Sequence, residues 1–166
     1  MRAPLMALAA LLLTTPAIAQ DPELPVQACA DAVGTFLLAD APEGGAITTR
    51  SLFLLTNGGH AMFVDSGQWG AGGYAPFSDA LGSWVCLSEA GETPSFRAVV
   101  IDFTFPAEGE QQIGRLDIEA TFDPDSGLLT LTALLSFFPL DGDPLAGPAS
   151  DAEPFTITGR KITVPE

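Results

Sequence analysis

Arg115-Leu-Asp-Ile-Glu-Ala-Thr-Phe122, Asp123-Pro-Asp-Ser-Gly127 and Leu128-Leu-Thr-Leu-Thr-Ala-Leu-Leu-Ser-Phe137 together decide the fold. In the first segment Arg115, Asp117, Glu119 and Thr121 alternate with Leu116, Ile118, Ala120 and Phe122. The last segment sets Leu129, Leu131, Ala133, Leu135 and Phe137 on one face and Thr130, Thr132 and Ser136 on the other. Between them Pro124 presets a negative φ, the aspartates can accept from backbone amides, and Gly127 tolerates a left-handed conformation. Period-two alternation on both sides of such a turn is a β-hairpin signal.

The same rhythm extends outward. Short strands are expected at 34–39, 47–55, 60–65, 81–88, 95–105 and 155–164, which with the central hairpin makes eight. Asn57-Gly58 suits a tight hairpin turn, because both residues accept positive φ. Two long loops interrupt the pattern. Residues 66–80 combine Gly67, Gly70, Gly72 and Gly73 with Trp69, Tyr74 and Phe77, and 139–154 is rich in Asp, Gly and Pro. No amphipathic helix exceeds a turn or two; residues 26–33 could form one. Sequential hairpins at this spacing predict an all-β, eight-stranded antiparallel up-and-down barrel, with a sandwich as the other solution. Closure also removes the strand edges that make apolar strands prone to aggregate.

The N-terminus reads as a secretory signal peptide. Arg2 is the basic start, Leu5 to Leu13 the apolar run, and Ala17-Ile18-Ala19 the small-residue cleavage site. Cleavage after Ala19 would leave 147 residues: a lead-in over 20–33 and a barrel domain over 34–166. That length suits one domain. No later run is long enough for a membrane helix, so the chain is not expected to be an integral membrane protein. The full chain carries 21 acidic against six basic residues, a formal charge of −15. Such a field disfavours nucleic acid and anionic membrane surfaces, and its even spread fits a solubilising surface. Cys29 and Cys86 form an even pair in an exported chain, most simply one disulfide between the N-terminal segment and the strand around Trp84.

Gly34-Thr35-Phe36 at the first strand is similar to the Gly-x-Trp of lipocalins, with Phe36 in the place of Trp. A second such motif stands at Gly82-Ser83-Trp84, and the last strand contains Thr158-Gly159-Arg160. From Asp31 to Val164 the order resembles the small secreted lipocalin-like (calycin-type) barrels of bacteria. The resemblance implies an eight-stranded barrel with an apolar interior that holds a small hydrophobic molecule. It carries over no catalytic residue.

A barrel of eight strands either fills with side chains or holds one small ligand. The inward set expected from parity is Leu116, Ile118, Phe122, Leu129, Leu131, Leu135 and Phe137, faced by Val99, Ile101, Phe103 and Phe105. If Asp102 and Thr104 meet water, Arg97 shares that inward parity near one mouth and could anchor a carboxylate or phosphate. A one-residue slip would instead leave it solvated. The loop with Trp69, Tyr74 and Phe77 suits a lid, a patch for a protein partner, or a plug folded over the barrel end. Asp141-Gly142-Asp143 lacks the closing Glu of a calcium loop, and one histidine, His60, supports neither a zinc cluster nor a nucleophile elbow. The expectation is an exported barrel binding a small hydrophobic or amphipathic molecule through Arg97, Trp69, Tyr74, Phe77, Ile101 and Phe103. No cofactor, metal or catalytic residue is expected. The alternatives are a filled-core interaction barrel, an inhibitor or assembly factor using the 66–80 loop, or a barrel isomerase or cyclase.

Overall fold

A computed structural model describes residues 27–40, 46–70, 75–149, 152 and 154–165. The expected leader and the start of the lead-in lie outside the described residues. Eight strands follow one another: β1 (Gly34–Asp40), β2 (Thr49–Leu55), β3 (His60–Asp65), β4 (Ala80–Cys86), β5 (Ser95–Phe103), β6 (Gln112–Asp123), β7 (Leu128–Pro139) and β8 (Pro154–Lys161). Each pairs antiparallel with the next, and β8 returns to β1, closing an up-and-down barrel. The central hairpin is continuous from Gln112↔Pro139 to Asp123↔Leu128. Its turn uses the expected chemistry: Asp123 accepts from Asp125 N and Ser126 Oγ, and Gly127 takes φ +67°. Those bonds hold the Asp123 carboxyl below its ordinary pKa, the Ser126 hydroxyl contributing most.

Alternation directs one face of every strand into the lumen. Phe36, Leu38, Phe53, Leu55, Phe96, Val100, Ile118, Leu129 and Leu131 are fully buried there. Their rings interlock: Phe36 meets Phe122 edge-on at 5.4 Å, Trp84 meets Phe96 edge-on at 5.7 Å, and Phe53 stacks on Phe96 at 6.2 Å. Aromatic pairs at these separations add to the burial energy. Trp84 also satisfies its indole N–H, which donates to the Thr56 carbonyl at 2.9 Å. The lumen is a packed core.

A 3₁₀ turn, Gln27–Ala32, covers one end of the barrel, with Cys29 and Ala32 completely buried. The Cys29–Cys86 disulfide fastens it to β4, and Lys161 Nζ donates to the Asp31 carbonyl. Closing a loop with a sequence separation of 57 is worth about 4 kcal/mol in chain-entropy terms.

One strand runs in the opposite phase to expectation. On β5 Phe96, Ala98, Val100 and Asp102 point inward, while Arg97, Val99, Ile101 and Phe103 point out. Asp102 and Thr104, expected to meet water, are 8% and 5% exposed. The strand is apolar on both parities, so alternation there holds no information about which face is inside. The pairing with β6 decides it: Ala98 lies opposite Ile118 and Val100 opposite Leu116, and small residues fit a lumen already filled by phenylalanines. Phe105, also expected inside, lies beyond β5 and is half exposed. Phe137 keeps its inward parity, sharing a face with Leu135, but sits near the barrel end at 40% exposure.

Candidate binding site on the outer wall

β1, β2 and β3 present apolar side chains outward as well as inward. Register places Leu37 beside Leu52 and Leu52 beside Val64, all on the outer wall. At the end of β3 the chain turns sharply over Ser66–Gly70, and side chains pin this turn to β2. Asp65 accepts from Ser51 Oγ at 2.6 Å and from Gly67 N at 2.6 Å. Ser66 Oγ accepts from Arg50 N at 2.9 Å, while Ser66 N donates to the Arg50 carbonyl at 2.8 Å. The turn is therefore held by four polar contacts, and Trp69 stands out from it at 86% exposure. A groove of about 410 Å³ results, floored by Leu37, Leu52 and Val64 and flanked by Arg50, Gln68 and Trp69.

Arg50 is the basic group of this groove, which Asp65 also lines, its carboxylate taken up by the Ser51 hydroxyl and the Gly67 amide. Among the described residues, two ion pairs form on the barrel: Arg97–Glu119 at 2.6 Å and Arg115–Asp117 at 2.5 Å. Lys161 is engaged by the Asp31 carbonyl and lies over the Phe122 ring. The Arg50 guanidinium has no hydrogen-bond or ion-pair partner among the described residues. In a chain with 21 acidic side chains, a cation left unpaired over an apolar floor is equipped to receive an anion by a bidentate contact.

The residues expected to bind are dispersed. Arg97 lies on the outer face of β5, opposite Glu119 on β6, and its Nε and Nη2 both donate to Oε1 of that residue. The inward orientation expected for Arg97 is thus reversed with the phase of its strand. Ile101 and Phe103 follow it onto the outer wall, half-buried and exposed respectively. Phe77 forms a single antiparallel bridge to Thr104, with Ser78 N donating to the Phe103 carbonyl. This leg of the 66–80 loop lies beside β5. Tyr74 lies outside the described residues. Of the five that are described, Trp69 alone joins the groove. Arg50, Leu37, Leu52 and Val64 were missed; the available signal was β2 itself, where Leu52 and Leu54 match Phe53 and Leu55 in apolarity.

A buried ionisable group stands on the inward face of β5. Asp102 lies opposite Gly114, whose missing side chain leaves room for the carboxyl; a Cβ there would overlap Oδ1. That oxygen is buried without a hydrogen-bond partner. Burial pushes the Asp102 pKa up to about 6, opposed by a hydrogen bond from the Gly114 amide.

Compared with family models, with curated proteins and with solved structures, the chain matches none. The closed eight-stranded antiparallel barrel is the architecture that the lipocalin resemblance implies. Among the described residues no helix is long and apolar enough to cross a membrane.

Proposed function

We propose that this chain is an exported binding barrel that takes a small amphipathic anion in the groove between Arg50 and Trp69. One observation carries the reading: a guanidinium with no partner among the described residues, above an apolar floor and beside a tryptophan at 86% exposure. The groove volume falls in the range typical of small-molecule sites. Packing of the lumen by Phe36, Phe53, Phe96 and their neighbours favours a ligand on the wall over one inside. An acyl chain burying roughly 200 Å² of apolar surface would gain about 5 kcal/mol before entropic costs, and a charge-assisted contact to Arg50 about 1.5–3 kcal/mol. The signal-like leader and the disulfide support an extracellular or periplasmic setting.

Trp69 is its own reporter, since the second of the two tryptophans, Trp84, is buried. Titration with dodecanoate should shift the Trp69 emission to the blue. Arg50→Met should weaken dodecanoate roughly tenfold or more, as loss of a charge-assisted contact dictates, and leave dodecanol unchanged. Emission that ignores dodecanoate, or equal affinity in Arg50→Met, would overturn the proposal.

A further inference from the structure

We infer that Asn57-Gly58, in the β2–β3 turn, is a self-modifying site, where the asparagine amide is converted to a carboxyl and the backbone is rerouted. The chain holds one asparagine and one histidine, and this turn brings the two together. Asn57 and Gly58 are exposed, and His60 opens β3 directly after them. Gly58 has no side chain to hinder approach to its amide nitrogen, and its backbone turns freely. Among the described residues that N–H has no hydrogen-bond partner. The bonds of the turn lie to either side: Gly59 N donates to the Thr56 carbonyl at 3.1 Å, and Thr56 N to the His60 carbonyl at 3.0 Å. The His60 imidazole leans over Gly58; a Cβ on that glycine would stand 3.4 Å from Cδ2 and 3.8 Å from Nε2. The Asp141-Gly142 pair is built differently, its glycine N–H donating to the Pro139 carbonyl at 2.9 Å.

The reaction needs only water. His60 accepts the Gly58 N–H proton as that nitrogen attacks Cγ of Asn57. The new C–N bond closes a cyclic imide, the bond from Cγ to the side-chain nitrogen breaks, and the proton leaves with that nitrogen as ammonia. Water then opens the ring. Addition at Cγ gives aspartate; addition at the main-chain carbonyl gives isoaspartate, in which the chain runs through the side-chain carbons. Nothing is oxidised or reduced. The position carries the product's effect into the core, because Thr56 and Gly59, on the two sides of the pair, both hold Trp84. Its indole N–H donates to the Thr56 carbonyl at 2.9 Å and its main-chain N–H to the Gly59 carbonyl at 2.8 Å. An isoaspartyl link adds a methylene to the backbone between those two acceptors. They then lose their spacing, and the buried indole loses its partner.

Ageing the disulfide-bonded chain at near-neutral pH, followed by peptide mapping in a mass spectrometer, tests this. Asn57 should gain the mass difference between an amide and a carboxyl and be recovered mainly as isoaspartate. Conversion should be at least as fast as in the reduced chain unfolded in urea, while Asp141 stays unchanged. His60→Gln should slow it roughly tenfold, less than an enclosed general base contributes. Asn57→Gln, whose longer side chain closes the ring poorly, should persist unmodified. Hydrogen exchange followed by NMR gives the structural readout: the Trp84 indole N–H should exchange faster in the aged chain and stay protected in aged Asn57→Gln. Fresh Asn57→Asp, which carries the charge without the rerouted backbone, should keep that protection too. An asparagine that survives in the folded chain after the unfolded chain has converted overturns the inference. Equal rates in the parent and His60→Gln overturn the role given to His60. An indole N–H as protected in the isoaspartyl chain as in the fresh one overturns the link to Trp84.

Discussion

Asp102 concentrates the barrel's least favourable electrostatics in one side chain. Its folded pKa of about 6 stands above the ordinary 3.8, so the folded state holds the proton more tightly than the unfolded state. Stability from this group is therefore greatest below about pH 4, falls as pH rises between the two values, and levels off above 6. A separation of roughly two units corresponds to about 3 kcal/mol at the upper limit. Asp102→Asn keeps the shape and removes the charge. Urea denaturation should find the variant more stable than the parent at pH 8 by an amount of that order, the gap closing toward pH 4. A gap independent of pH would show that the carboxyl is not the charged group it is taken to be. Neither Asp102 nor Arg50 was legible at this scale. Each sits on a strand whose other parity is equally apolar, so its orientation depends on neighbours far along the chain.

Arg115 shows how an element is anchored from outside the barrel. The residue is 7% exposed although its position on β6 faces outward. Its Nε and Nη2 grip both oxygens of Asp117 at 2.7 Å and 2.5 Å, and Nη1 donates to the Pro144 carbonyl. The bond to Asp117 is the largest influence raising the Arg115 pKa. Beside it Ser136, its cross-strand partner, accepts from Ala149 N at 2.9 Å. Residues 140–149 of the β7–β8 connection are thus folded against the wall, and the 3₁₀ turn Pro144–Ala146 is capped by Asp143, which accepts from Leu145 N. Composition alone reads this segment as a loop, because its order comes from β6, almost thirty residues earlier. Arg115→Met should leave Asp117 without its partner and the Pro144 carbonyl unsatisfied, costing roughly 2–3 kcal/mol. Limited proteolysis should then cut within 140–149 first. Unchanged resistance there would mean the loop is held by other contacts.

Among the described residues most acidic side chains lie outside the strands, and only two ion pairs offset them. Arg97–Glu119 is more than half exposed on both sides, so it contributes little to stability. Self-repulsion should therefore outweigh surface attraction, and screening should stabilise the fold. Calorimetry between 0.01 M and 0.5 M NaCl should record a melting temperature that climbs with salt. A flat or falling curve would show attraction to be the larger effect.

What the amino-acid sequence by itself determined was the strand order, the Asp123–Gly127 turn, the closed barrel they imply and the Cys29–Cys86 pairing; at the β2–β3 turn Gly59, not Asn57 or Gly58, takes the positive φ. These rest on local information: alternation where the two faces differ in polarity, turn residues where φ is restricted, and an even pair of thiols. Only the tertiary structure decided which face of β5 lines the lumen and that the lumen is full. It also decided that Arg50, Leu37, Val64 and Trp69 share one groove. The physical reason is common to all three. Where both faces of a strand are apolar, orientation is set by lateral register and by the limited volume inside eight strands, which no single strand encodes.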